Sequence, residues 1–246
     1  DIAWSWQRFL HPETGSEYSY QLHYVRGAQK YNFAELEVGD RVEVELADRK
    51  DRHQLFPRGT MEAGILTAIE EPPKPEFDEE TTDEEREDAL EEWQQSLVYE
   101  VEVKSKVDGE INWDAPGNTR RFSKDAKDNN AETCRHVLYH FDEVGIQAKD
   151  TDTLVVELND PTPYFLDLVA FYPLYPVNRK CVEEYGVPKW TKPENIVSNG
   201  PFTMEFRRIR DRIRMRKNPL YWNADKVELE TVEALAVETE ATQLTM

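Results

Sequence analysis

Apolar residues recur at two different periods along this chain, and the change of period divides it. In DIAWSWQRFL, Ile2, Trp6, Phe9 and Leu10 fall on one side of a helix, so the chain opens in an amphipathic helix pattern. From residue 40 the period drops to two. DRVEVEL (40–46) and LVYEVEVKS (97–105) alternate apolar and polar positions, and GILTAI (64–69) is a third short run. DGEINW (108–113) supplies a fourth after a turn-forming Asp-Gly, and RRFS (120–123) adds a fifth. NNAETCRHVLYHFDEVGI (129–146) returns to helical spacing, with an Asn N-cap and with Cys134, Val137, Leu138 and Phe141 along one face, ending near Gly145. DTDTLVVELND (150–160) is a strand closed by Pro-Thr-Pro. Further on, Phe202, Met204 and Phe206 lead to an Arg210-Asp211 turn. Ile213 and Met215 return on the inward face of a second strand, while Arg212, Arg214 and Arg216 point outward. Asn218-Pro219 ends that strand, and Tyr221-Trp222 are expected to fold down as a hydrophobic latch.

These patterns predict a compact β module over 41–125, a small antiparallel barrel or sandwich. Its EVGDRVEVEL start is similar to the opening of an SH3-like barrel, although Gly-Asp before an alternating strand is also common turn chemistry. The module carries an acidic stretch. Residues 70–92 hold 13 acidic side chains against Lys74 and Arg86, a local net of -11 in a chain of net charge -20. Led by prolines and lacking apolar periodicity until Ala89, Leu90 and Trp93, that stretch reads as a solvated loop running into a short helix, mobile near 74–88. It holds no calcium loop of D-x-[DN]-x-[DN]-G form.

Composition sets the outer limits. With 246 residues, 39% of them hydrophobic, the chain can bury a core as one large domain or two modest ones. It contains no apolar run of about 18 residues that would span a bilayer. The start without Met and the abrupt ETEATQLTM end read as an excised piece of a longer chain, with any targeting signal upstream. Cys134 and Cys181 are too few for a disulfide scaffold and lack zinc-site spacing, which leaves one bridge or two buried thiols.

The candidate chemistry is sparse. His136 and His140, four apart on the expected helix with Asp142 or Glu143 nearby, have chelating spacing, but H-E-x-x-H is absent and ordinary surface histidines are the preferred reading. There is no Gly-rich phosphate loop and no G-x-S-x-G elbow, and Ser198 has no base near it in sequence, so no catalytic residue, cofactor or metal is assigned. FRRIRDRIRMRKNPLYW (206–222) concentrates seven basic side chains. In so acidic a chain they are expected to form a solvated arginine face, partly paired with the protein's own acids, and not a nucleic-acid grip. Asn199 and Gly200 tolerate positive φ, so Ser198-Asn199-Gly200 is read as a tight turn.

Several separate pieces then occur in an order that resembles the family 5 extracellular solute-binding proteins, the oligopeptide and dipeptide receptors of ABC importers. They are a strand followed by P-T-P-Y-F, the P-V-N-R before a helix ending in Y-G, W-T-K-P-E-N-I-V-S-N-G-P-F, the D-R-I hairpin, and K-N-P-L-Y-W. The first 38 residues are similar to that family's helix beginning D-[VI]-x-[YW]-S-W, whereas 41–125 do not match. The resemblance therefore implies a partial periplasmic-binding-protein-like α/β lobe, residues 1–40 and 126–246, interrupted by the β module as an insertion. It implies capture of short peptides without catalysis, with Ser198, Asn199 and Gly200 bordering the ligand cleft and ABC permease subunits as partners. The implied location is periplasmic or extracytoplasmic, with any membrane anchor in an upstream segment. The alternative is a receptor-like scaffold whose inserted module binds a protein or cell-wall partner.

Overall fold

The computed structural model of the protein describes residues 2–47, 60–78, 81–125 and 130–236. Glu79 and Glu80 of the acidic run, Asn129 and the closing ETEATQLTM lie outside the described residues. The elements in chain order are α1 (Ile2–Leu10), α2 (Ala28–Phe33), β1 (Arg41–Leu46), β2 (Met61–Glu70), α3 (Asp83–Gln95), β3 (Val98–Val103), β4 (Lys106–Val107), β5 (Glu110–Ile111), β6 (Asn118–Ser123), β7 (Glu132–Tyr139), β8 (Ile146–Ala148), β9 (Leu154–Val156), α4 (Phe165–Val169), α5 (Arg179–Tyr185), β10 (Phe202–Arg208), β11 (Arg212–Lys217) and β12 (Thr231–Leu235). The fold is mixed α/β. It divides into two compact units, Trp6–Leu174 and Asp1–Ser5 with Tyr175–Met246.

The larger unit is built around a closed barrel in the order β1-β2-β3-β6-β7. All neighbours are antiparallel except β6 and β7, which meet in parallel through Phe122–Glu132 and Ser123–Thr133. Alternation along the strands delivers Val42, Val44, Leu66, Tyr99, Val101, Phe122, Cys134 and Val137 to one core. Gly64 is needed where β2 crosses β3, because a Cβ there would come within 2.5 Å of the Glu102 carbonyl and of Val101. The barrel satisfies the expectation of a barrel or sandwich, with two corrections. DGEINW contributes only β5, a two-residue ladder with β4 outside the barrel, turned by Asp108 and Gly109 at positive φ.

The second correction concerns 129–146, which is not a helix. Glu132–Tyr139 is the fifth barrel strand, so the barrel runs to residue 139 and not 125. A bulge causes the misreading. Glu45 pairs with His136 but Leu46 pairs with Cys134, so one extra residue is accommodated in β7. Cys134 and Val137 both point into the barrel core although three apart, and Leu138 and Phe141 are buried outside that cluster. The result imitates helical spacing.

The acidic stretch runs from a loop into a helix, as expected, and the helix begins at Asp83. From Thr82 a capping box forms, in which the Glu85 amide donates to Thr82 Oγ1 (3.3 Å) and the Thr82 amide donates to Glu85 Oε2 (2.9 Å). Asp83, Glu84 and Glu85 fill the first turn, where the helix dipole favours negative charge. Helix α3 buries no residue, and it is tied back at its C-terminal end by Trp93 Nε1, which donates to the Pro72 carbonyl (2.8 Å). Residues 71–78 have no regular structure.

The smaller unit contains α5, capped by Asn178 Oδ1 accepting from the Cys181 amide (2.9 Å), and the sheet β10-β11-β12. Cys134 and Cys181 are both free and buried, which decides for two thiols.

Candidate functional site

The segment Ser198-Asn199-Gly200 connects the Ile196-Val197 stretch to β10. Neither Asn199 nor Gly200 adopts positive φ, so the expected reason for these residue types does not hold. Side chains shape the turn instead. Ser198 Oγ accepts from the Gly200 amide (3.1 Å) and donates to the Phe202 carbonyl (3.3 Å). Asn218 is nearly fully buried at the end of β11. Its Nδ2 donates to the Gly200 carbonyl (2.9 Å) and its own amide donates to the Pro201 carbonyl (2.8 Å). Ser198 and Asn199 remain exposed, and the Asn199 amide group takes no part in this web of bonds among the described residues. The arrangement presents one carboxamide on a rigid edge, which suits hydrogen bonding to a ligand. Asn218, the residue that holds it, was read from sequence only as a strand end.

The basic hairpin beyond it is paired internally. β10 and β11 turn at Arg210, with φ 60°, and Asp211. β12 then places Glu233 directly opposite Arg214, at 2.5 Å, and 3.4 Å from Arg212. Arg216 meets Glu205 at 2.9 Å and Lys217 meets Glu230 at 3.7 Å. Hydrogen bonding to Arg214 holds the Glu233 carboxyl below the usual carboxylate range. Arg212, Arg214, Arg216 and Lys217 thus carry acidic partners of their own, the partly paired face that was expected. The latch is corrected: Tyr221 packs on Trp222 with ring centroids 5.7 Å apart, but Trp222 is 83% exposed.

His136 and His140 are not brought together. His140 follows β7, and its Nδ1 accepts from the Asp142 amide (3.3 Å) while its ring meets the edge of Trp113. His136 instead faces the turn after α1, with Nε2 3.4 Å from Glu13 Oε1. Neither Glu13 nor its neighbour Glu45 was singled out in sequence, since they lie 32 positions apart and only the barrel register aligns them.

On the same strand as Glu45, Glu43 has an unusual carboxyl. Burial pushes it up to about 7 from an ordinary value of 4.5, with Asp142 and Glu45 adding to the rise and Tyr31 and the Phe141 backbone opposing it. A raised carboxyl favours the protonated fold. Its contribution is therefore fully present below pH 4.5 and is lost as pH rises through about 7. Glu43→Gln should gain on the parent protein across that interval by on the order of 2 kcal/mol. Urea unfolding of both proteins at pH 5 and pH 8 reads the difference, and parallel curves at the two pH values would refute it.

The profile described as "Bacterial extracellular solute-binding proteins, family 5 Middle" matches residues 109–246. The chain is 39% identical over 103 residues to the oligopeptide-binding protein OppA of Bacillus subtilis, covering 42% of this chain and 19% of that protein. It is 36% identical over 102 residues to the periplasmic oligopeptide-binding protein OppA of Escherichia coli, again 42% of this chain and 19% of the relative. The solved structure of Burkholderia pseudomallei OppA superposes on the whole chain with a TM-score of 0.54 at 22% identity, over 28% of its own length. At that identity the likeness concerns the fold alone.

Proposed function

Because the chain belongs to the bacterial extracellular solute-binding proteins of family 5, we propose that it is part of the substrate-capturing component of an ABC-type peptide importer. The matched stretch is about a fifth of the length of the curated relatives, so ligand and partners are inferred for the longer protein of which this piece would form one lobe. The observation that carries the reading is the Ser198-Asn199-Gly200 edge, exposed at Ser198 and Asn199. It is held from behind by Asn218 and offers a carboxamide with no competing bond among the described residues. Peptide receptors read their ligands largely through main-chain groups, and a preorganised amide is the group suited to that task. The work is binding without chemistry, outside the cytoplasm, with delivery to permease subunits in the membrane. Any membrane anchor would lie upstream.

Calorimetric titration of a chain extended through the opposite lobe, using a mixed library of short peptides, tests the function. Saturable binding is expected. A folded extended chain that leaves the library unbound would refute the peptide assignment.

A further inference from the structure

Among the described residues, a group of metal-ligating side chains converges on the barrel wall. β1 and β7 run antiparallel with Glu45 opposite His136, and the β7 bulge puts Arg135 and His136 together on the outer side, as Cys134 and Val137 take the inner one. That outer wall is covered. The turn following α1 lies over it and leaves the Glu45 side chain only 3% exposed, with His11 Nε2 3.8 Å from Glu45 Oε2. The same turn brings Glu13 to His136. One ligand atom each from Glu13, Glu45 and His136 lies within 4.8 Å of the other two. Glu13 Oε2 is buried and accepts no hydrogen bond, an acceptor that folding has desolvated without return.

Arg135 is ion-paired with Glu13 and lies 3.5 Å from Glu45 Oε1. Arg135 also lines a pocket of about 400 Å³ with Glu13, Lys124, Cys134 and His136, so its side chain has space to withdraw and an ion has a route inward.

We propose that Glu13, Glu45 and His136 bind a divalent transition-metal ion of the zinc class, displacing Arg135 toward the pocket, with His11 behind Glu45. One imidazole and two carboxylates match that class. Calcium and magnesium favour all-oxygen shells with more ligands than this wall provides. Three protein ligands leave one coordination position toward the pocket for water. The consequence is a clip: the ion joins the turn after α1 to two strands of the barrel, stabilising their junction.

Zn²⁺ titrated calorimetrically into the chelator-stripped full chain tests the site, with Co²⁺ absorption as a geometry probe. Expected are one saturable ion per chain, a Co²⁺ spectrum of low coordination number, and a higher unfolding midpoint with zinc. His136→Gln should weaken binding at least 100-fold, whereas Glu84→Gln on the acidic helix should leave it unchanged. Arg135→Met should tighten binding about tenfold, because a competing cation is removed. Should His136→Gln not fold, Arg135→Met decides alone. Absence of saturable binding, affinity unchanged in His136→Gln, affinity lost in Glu84→Gln, or affinity not raised in Arg135→Met overturns the proposal.

Discussion

Phe122→Ala is expected to destabilise the larger unit by about 3–5 kcal/mol, enough to unfold the barrel in a marginally stable chain. Phe122 is fully buried and shares its core with residues of β1, β2, β3 and β7. Its position is the reason for so large an effect. β6 and β7 are joined by only two residue pairs, one of which contains Phe122, so side-chain packing and not a long ladder closes the barrel there. Removing the ring leaves a cavity at the weakest seam and also removes the face over which the Arg120 guanidinium lies at 5.1 Å. Urea unfolding followed by tryptophan fluorescence measures the loss. A cost below about 1 kcal/mol would mean that closure does not depend on this packing.

The strands that close the barrel differ in how plainly the sequence announces them. β1 and β3 read directly, because apolar residues alternate with acidic ones along each. β7 does not, since both of its faces are covered: Cys134 and Val137 by the barrel core, Leu138 outside that cluster. With the bulge at Arg135–His136 this erases the period of two. The amphipathic start, by contrast, is helical as its spacing indicates. The helix at the end of the acidic stretch is also as expected, and the capping box of Thr82 and Glu85 sets its start at Asp83.

The candidate sites divide along the same line. Ser198, Asn199 and Gly200 are adjacent in sequence and can be named from it, but the turn is held by the Ser198 hydroxyl and by Asn218, not by positive φ. Glu13, Glu45 and His136 come from three distant segments. Only the pairing register of β1 with β7, together with the turn after α1, makes them neighbours. Period and propensity carry no information about such a meeting.

Peptide affinity should fall by at least 100-fold when this chain is compared with one extended through the opposite lobe. Receptors of the closing type bury a ligand between two lobes, and one lobe alone offers an open half-site from which most of that burial is missing. Within the extended chain, substitutions at Asn199, Gly200 and Asn218 should each weaken binding. Asn199→Ala removes the exposed carboxamide that makes no internal bond and should weaken binding about tenfold, the worth of one good hydrogen bond in a desolvated cleft. Gly200→Val acts indirectly. A Cβ at Gly200 sits 3.4 Å from Ser198 Oγ, in ordinary contact, but a branched side chain crowds the hydroxyl that accepts the Gly200 amide and so loosens the edge. Asn218→Ala should do as much harm from behind, because it frees the Gly200 carbonyl while touching no ligand. Calorimetry with the peptide library on the fragment, the extended chain and the three variants separates these effects. Equal affinity of fragment and extended chain, or variants indistinguishable from the parent, would move the binding site away from this turn and make the barrel the stronger candidate.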